Sequence, residues 1–407
     1  MRATIIAFTI VPQATVTAYL PDGPAKAERH RRSPPSGRPV DRGLFSADEY
    51  RHMRAFFAAR PELGATPLRH LPSLARALGL GHVGVKDETT RFGLNAFKLL
   101  GARFAVETLR AEGALPPGHT VACASEGNHG RAVARAARDA GCYARVYMAA
   151  DAAQARAEAI AGEGATVVRV NGSYDDAVRM LRTEAVSQGW TIVSDTSWEG
   201  YERIPRLIML GYTRMMDEVA AASASSAFDF VFVQGGVGGL LCGIASWCAT
   251  YAPHCQVVSV EPTSAACLLA SARAGRPTSV DGPLTTTMAG LRNREISPMV
   301  FRPVRATVDA YLAIDDTWAH RAIWTLAHPD GGDAVVAAGA SGAAALGGVL
   351  AVCLDPGMRA VRERLGLHSA SRVLAVVSEG VTDPALWTAV TDGVDPGQQI
   401  NAGHAGA

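Results

Sequence analysis

Lys98 closes the stretch Phe92-Gly93-Leu94-Asn95-Ala96-Phe97-Lys98 and is one of only three lysines in 407 residues; the other 36 of the 39 Lys and Arg residues are arginine. Arginine keeps its proton near neutral pH, whereas a desolvated lysine can lose it, and only a neutral amine attacks a carbonyl carbon. Lys98 is therefore either a Schiff-base lysine awaiting an aldehyde or a surface lysine that escaped replacement. A second chemical feature is Gly235-Gly236-Val237-Gly238-Gly239, between the apolar run 228–234 and the apolar run 240–251. On a strand-to-helix turn, its backbone N–H groups and the helix N-terminus face one point, which suits an anion, above all phosphate. The loop is neither G-x-G-x-x-G nor a P-loop, since no Lys-Ser/Thr follows, so a single phosphate ester is expected rather than a dinucleotide or a nucleoside triphosphate. A tight turn with no ligand is the alternative.

Two further stretches carry polar groups at strand ends. Ser125-Glu126-Gly127-Asn128-His129-Gly130 offers a hydroxyl, a carboxylate, an amide and an imidazole beside N–H groups. That set suits a substrate carboxylate and a proton-transfer group, or simply a capped turn. Asp195 follows the run 191–194, where ligand sites of α/β proteins collect, unless it only caps a turn. A Schiff-base lysine, a seat for one phosphate and a carboxylate-binding turn together point to pyridoxal 5'-phosphate acting on a small amino acid.

The elements that must position these groups alternate. Strands are expected at 83–86, 120–124, 144–148, 165–170, 191–194, 228–234, 257–260 and 373–377. Helices are expected at 71–80, 96–109, up to Ala140, 152–161, 173–188, 201–222, 240–251, 316–326 and 341–352, with another from Ser46, whose hydroxyl can cap. Residues 1–20 read as strand or hairpin, 21–41 as an exposed proline-rich connection, and the chain after Trp387 as a fraying tail. This alternation predicts an α/β protein with two domains of twisted, mostly parallel sheets flanked by helices, the cofactor lying in the cleft between them. The expected division is a large cofactor-binding domain, 1–97 with 206–390, a small substrate-facing domain, 98–205, and a flexible tail, 391–407.

Composition narrows the function. Hydrophobic residues make up 48% and net charge is +1, so neither nucleic acid nor an anionic membrane is an expected partner. No run is long and uninterrupted enough to span a bilayer, and the apolar run 4–12 reads as a β element rather than an export signal. Seven irregularly spaced cysteines without a CxxC fit reduced thiols in the cytoplasm, and no metal site is expected.

The longer motifs carry a resemblance. They are Thr66-Pro67-Leu68, the run from Lys86-Asp87-Glu88 to Phe97-Lys98, Glu126-Gly127-Asn128-His129-Gly130-Arg131, the run Asp195 to Tyr201, Val260-Glu261-Pro262, Met288-Ala289-Gly290-Leu291, and Ser378-Glu379-Gly380-Val381-Thr382-Asp383-Pro384. From about Leu44 to Trp387 the chain resembles the fold-type II pyridoxal-phosphate enzymes, the tryptophan synthase β and threonine dehydratase group. Within that group it is most similar to the diaminopropionate ammonia-lyase family. The resemblance implies that Lys98 holds the cofactor and moves the α-proton, with Glu126 and Asp195 as further proton-transfer groups. It implies that Phe97, Asn128, Gly235, Gly236, Val237, Gly238, Gly239 and Ser378 bind the cofactor; the turn at the start of the helix offers Ser125, Gly127 and His129 to the substrate, and Arg292 is a further candidate for a substrate contact. The implied reaction removes the α-proton and a β-substituent to give aminoacrylate, then pyruvate and ammonia. β-Replacement or racemisation of a related β-substituted alanine are the alternatives, and a homodimer is implied. Three positions depart from the lyase pattern: Glu126 stands for Asp, Arg292-Asn293-Arg294-Glu295-Ile296 for Ala-Cys-Gly-Glu-Pro, and Ala340 for the Glu of Glu-Ser-Gly. The new arginines either bind an acidic substrate group or form a solvated loop.

Overall fold

A computed structural model describes residues 14–21, 43–223 and 228–395. Its strands are β1 (Val16–Tyr19), β2 (Leu68–His70), β3 (His82–Asp87), β4 (Thr120–Ala124), β5 (Tyr143–Ala149), β6 (Ala165–Val170), β7 (Thr191–Ile192), β8 (Phe230–Gln234), β9 (Gln256–Pro262), β10 (Ala310–Ile314) and β11 (Arg372–Val377). They form a seven-stranded sheet in the order β1-β10-β9-β8-β11-β3-β2 and a four-stranded sheet in the order β6-β5-β4-β7. The small sheet is wholly parallel. In the large one only the edge strands run against their neighbours, β1 against β10 and β2 against β3. Parallel strands need crossover connections, and helices supply them here. The expected α/β class with mostly parallel sheets holds.

Four helices position the site: α1 (Lys98–Ala111), α2 (Asn128–Asp139), α3 (Arg203–Tyr212) and α4 (Gly239–Tyr251). Helix α1 crosses α3 at very close range. A Cβ on Gly101 would lie 2.5 Å from the Ile208 carbonyl oxygen, and one on Gly211 would lie 2.7 Å from that of Leu100. Such an approach needs glycine on both sides, and it fixes the helix whose first residue is Lys98. One apolar core runs through α1, α2, α3 and α4, with Leu100, Phe104, Val133, Ile208 and Leu241 all buried. A second lies on the other face of the large sheet, around Trp318 and Leu346. Strand β11 serves both by alternation: Leu374 and Val376 belong to the first core, and Val373, Ala375 and Val377 to the second.

Several expectations need correction. The stretch at Leu68 is not only a break, because β2 pairs there with β3. The segment 201–222 is two helical pieces, Arg203–Tyr212 and Arg214–Ala222, meeting at Thr213. Strand β10 was not expected: all five of its residues are buried, so it shows no alternation of polar and apolar positions. The chain past Trp387 does not fray at once, since a helix runs over Pro384–Thr391 with Asp383 as its cap. Strand β1 lies within the expected N-terminal element. Residues 22–42, the bulk of the expected connection, and 396–407, most of the expected tail, lie outside the described residues. Among the described residues no single helix is long and apolar enough to cross a membrane. None of the seven cysteines is in a disulfide among the described residues, and six of them are buried.

Candidate active site

The candidate residues gather where strands end at their carboxyl termini, the usual ligand edge of a parallel sheet. Lys98 begins α1, Asn128 begins α2, Asp195 follows β7, the glycine loop joins β8 to α4, and Ser378 follows β11.

The approach to Lys98 is conformationally unusual. Phe92 and Asn95 both adopt positive φ, 53° and 58°. Asparagine tolerates this region and phenylalanine does so rarely, so the surroundings must impose it. Arg91 is clamped by Glu88 and Glu218, the Asn95 carbonyl accepts from Gly380 N–H at 2.8 Å, and Phe97 N–H donates to the Ser378 carbonyl at 3.1 Å. The chain before Lys98 is thus tied directly to the end of β11.

Lys98 Nζ donates to Asp195 Oδ2 at 2.5 Å, with the two side chains 24% and 19% exposed. Burial opposes the charge on each, but the pairing prevails. Lys98 is held above the usual lysine range, largely by Asp195, and Asp195 below the carboxylate range, by the neighbouring His129 and Lys98. Burial disfavours the charged form of His129, so the Lys98 ammonium is the cause that counts for Asp195. In this state Lys98 must release a proton before it can act as a nucleophile or base. The Phe97 and Tyr212 rings lie 5.2 and 5.8 Å from Nζ and make an edge-on pair with each other. Tyr212 was missed by sequence reasoning, since nothing local marks a tyrosine inside an apolar helix as a neighbour of Lys98.

His129 is buried, with Nε2 2.8 Å from the Val193 carbonyl oxygen. A carbonyl only accepts, so Nε2 carries the hydrogen and the neutral ring presents a lone pair at Nδ1. That atom has no hydrogen-bond partner and sits 3.8 Å from Asp195 Oδ2. Ser125 Oγ accepts from Gly130 N–H at 2.9 Å and Gly127 N–H at 3.2 Å, so it caps the turn that begins α2. Glu126 does not join the Lys98 cluster: Oε1 accepts from Ala149 N–H at 3.2 Å, and no hydrogen bond or ion pair ties it to Lys98 or Asp195.

In the glycine loop the N–H groups of Gly236, Val237 and Gly238 donate to no other described residue. Gly238 has φ 95°, and a Cβ there would lie 2.8 Å from Val300 Cγ2. A Cβ on Gly239 would lie 3.9 Å from the Asp195 carbonyl oxygen, which places the loop beside the Lys98–Asp195 pair. Open amides at a helix N-terminus fit the phosphate of pyridoxal phosphate. Ser378 is buried and accepts from Gln234 Nε2 at 2.6 Å, so its own hydrogen remains available to a ring nitrogen.

Asn128 Nδ2 donates to Glu379 Oε2 at 2.6 Å, and burial raises the Glu379 carboxyl above its usual range. Glu379 lies inside one of the longer motifs, yet no local signal shows that its carboxylate meets Asn128. Arg292 follows the solvated-loop alternative and not the substrate-binding one. It is exposed, and its guanidinium donates to the Thr286 carbonyl, from Nε at 2.8 Å and also from Nη2. That arginine braces its own loop and makes no hydrogen bond or ion pair to Lys98, Asp195 or Asn128.

A family model described as pyridoxal-phosphate dependent enzyme matches residues 59–379. This chain belongs to that family. Diaminopropionate ammonia-lyase of Escherichia coli K12 is 35% identical over 359 residues, covering 84% of this chain and 90% of the lyase. The lyase of Salmonella typhimurium LT2 is 32% identical, covering 82% and 89%. The solved E. coli lyase in complex with an aminoacrylate-PLP azomethine reaction intermediate superposes with TM-score 0.81 at 32% identity, over 94% of this chain and 98% of that one. The family's cofactor is pyridoxal phosphate, and the open loop amides, the Ser378 hydroxyl and Lys98 fit it.

Proposed function

We propose that this enzyme is a carbon–nitrogen lyase that converts 2,3-diaminopropionate or a close analogue to pyruvate and ammonia. One water is consumed and two molecules of ammonia are released. The observation that carries the reading is the Lys98–Asp195 pair at 2.5 Å beside the glycine loop, in a chain similar to the lyases over most of its length. Bound pyridoxal phosphate supplies the electron sink that makes the α-proton acidic. When the cofactor is bound, the amides of Gly236, Val237 and Gly238 would hold its phosphate, Asn128 would meet its 3-oxygen, Phe97 would line its seat, and the Ser378 hydroxyl would donate to the ring nitrogen. Lys98 Nζ takes the α-proton, and Asp195 stabilises the resulting ammonium. Ser125, Gly127 and His129 orient the amino acid at the start of α2. Glu126 would serve the opposite face of Cα only after its carboxylate leaves Ala149 N–H.

Arg292 is tied to Thr286, so a second substrate gains no seat from that residue and β-replacement is not favoured. The proposed division remains a large domain of 1–97 with 206–390 and a small one of 98–205, and the proposed form is a cytoplasmic homodimer. Light scattering of the purified enzyme checks the oligomeric state, a monomeric mass being the contrary result. The function itself is tested by incubating holoenzyme with D- and L-2,3-diaminopropionate. Pyruvate and ammonia in a ratio of one to two are expected, and substrate recovered unchanged would refute the reading.

A further inference from the structure

We propose that His129 Nδ1 and Asp195 together form the seat for the second, β-positioned ammonium of the substrate, and so select an amine over a hydroxyl as leaving group. The inference rests on the function proposed above. Two acceptors stand 3.8 Å apart, the Asp195 carboxylate and an imidazole nitrogen with no partner. The Nε2–H bond to Val193 fixes the ring so that Nδ1 faces the carboxylate, and the residue is only 8% exposed. Two neighbouring acceptors repel one another unless a donor lies between them, and a buried acceptor left unsatisfied is costly. Burial lowers the basicity of His129, which favours the neutral ring over an imidazolium that would fill the gap.

In the described structure the Lys98 ammonium neutralises Asp195. When Lys98 gives up its proton, that charge is lost, and a largely enclosed carboxylate without its cation is disfavoured. A substrate –NH3⁺ restores it. It offers three donors, enough for Asp195 and Nδ1 at once, whereas the hydroxyl of serine offers one donor and no charge. The same contacts keep the leaving nitrogen protonated. As Lys98 takes the α-proton, the Cα electron pair forms the Cα–Cβ double bond, the Cβ–N bond breaks, and nitrogen departs with that bonding pair as neutral ammonia.

The test compares holoenzyme with the His129→Leu, His129→Asn and His129→Gln variants, measuring kcat/KM for 2,3-diaminopropionate and for serine. Substrate affinity is read separately from the shift of the visible cofactor band. His129→Leu is expected to lower the preference for diaminopropionate over serine by about 10- to 100-fold, the size of one hydrogen bond to a charged group. His129→Asn, whose amide oxygen reaches the Nδ1 position, should recover part of the preference, and His129→Gln, which reaches toward Val193, should recover less. Equal losses on both substrates would overturn the seat. If His129→Leu does not retain the cofactor band, the Asn and Gln variants decide, and a preference in Gln equal to or above that in Asn overturns it. Wild-type enzyme inert toward diaminopropionate overturns the function itself, a result distinct from activity with equal losses.

Discussion

Lys86 and Lys98 are both set against carboxylates, yet their surroundings differ in completeness. Lys86 is 1% exposed and donates to Glu218 Oε2 at 2.6 Å and to the Thr66 hydroxyl and carbonyl, both at 2.7 Å. Arg91, in the same cluster, reaches Glu88, Glu218, Gly64 and Thr66. All three ammonium donors of Lys86 are engaged, and Lys86 and Arg91 face Glu88 and Glu218, with Arg214 adding a further contact to Glu218. Lys98 donates to Asp195, with Tyr212 its other polar neighbour, and next to it His129 Nδ1 has no partner among the described residues. Burial and opposite charge are common to both regions. The unsatisfied capacity is found only at Lys98, and that separates a group poised for chemistry from one that holds β3 to the helix bearing Glu218.

Lys98→Ala should produce the largest effect: kcat/KM falls by roughly 10³- to 10⁴-fold, with the visible band altered and circular dichroism unchanged. Lys86→Met should act on stability instead, lowering the free energy of unfolding by about 3 kcal/mol, the low end for breaking a buried pair, because Glu218 loses the Lys86 ammonium but keeps Arg91 and Arg214. Denaturant titration of both variants checks the contrast, and the reverse pattern would break it. Asp195→Asn addresses the open cluster through pH. Its folded pKa lies below the unfolded value of about 3.9, so its contribution to stability is present above that pH and is lost as pH falls further. The variant should therefore lack part of the wild-type acid destabilisation below about pH 4, on the order of 1–2 kcal/mol, seen as a flatter midpoint-versus-pH curve. Arg292→Ala should do least, with stability changed by no more than about 0.5 kcal/mol and kcat/KM by less than about threefold.

Much of this contrast is readable in the sequence and some is not. The rarity of lysine marks Lys98, and four glycines between an apolar strand and a helix mark the anion seat, because both signals are local. The parallel sheets follow from the alternation of elements. Strand β10 escapes because a strand buried on both faces loses its period of two. Tyr212 and Glu379 escape as neighbours of Lys98 and Asn128 because only the close α1–α3 crossing and the end of β11 bring them there. The open Nδ1 of His129 depends on a carbonyl, that of Val193, whose placement no residue type encodes. Arg292 shows the opposite failure: a charge whose position suggests substrate binding is satisfied by a backbone oxygen of its own loop.

The distinction between the two lysines is tested most directly by reducing the holoenzyme with borohydride, digesting it and locating the cofactor-bearing peptide. The open cluster predicts a single label on Lys98. A label on Lys86, or none on Lys98 in an enzyme that keeps its visible band, would contradict the account.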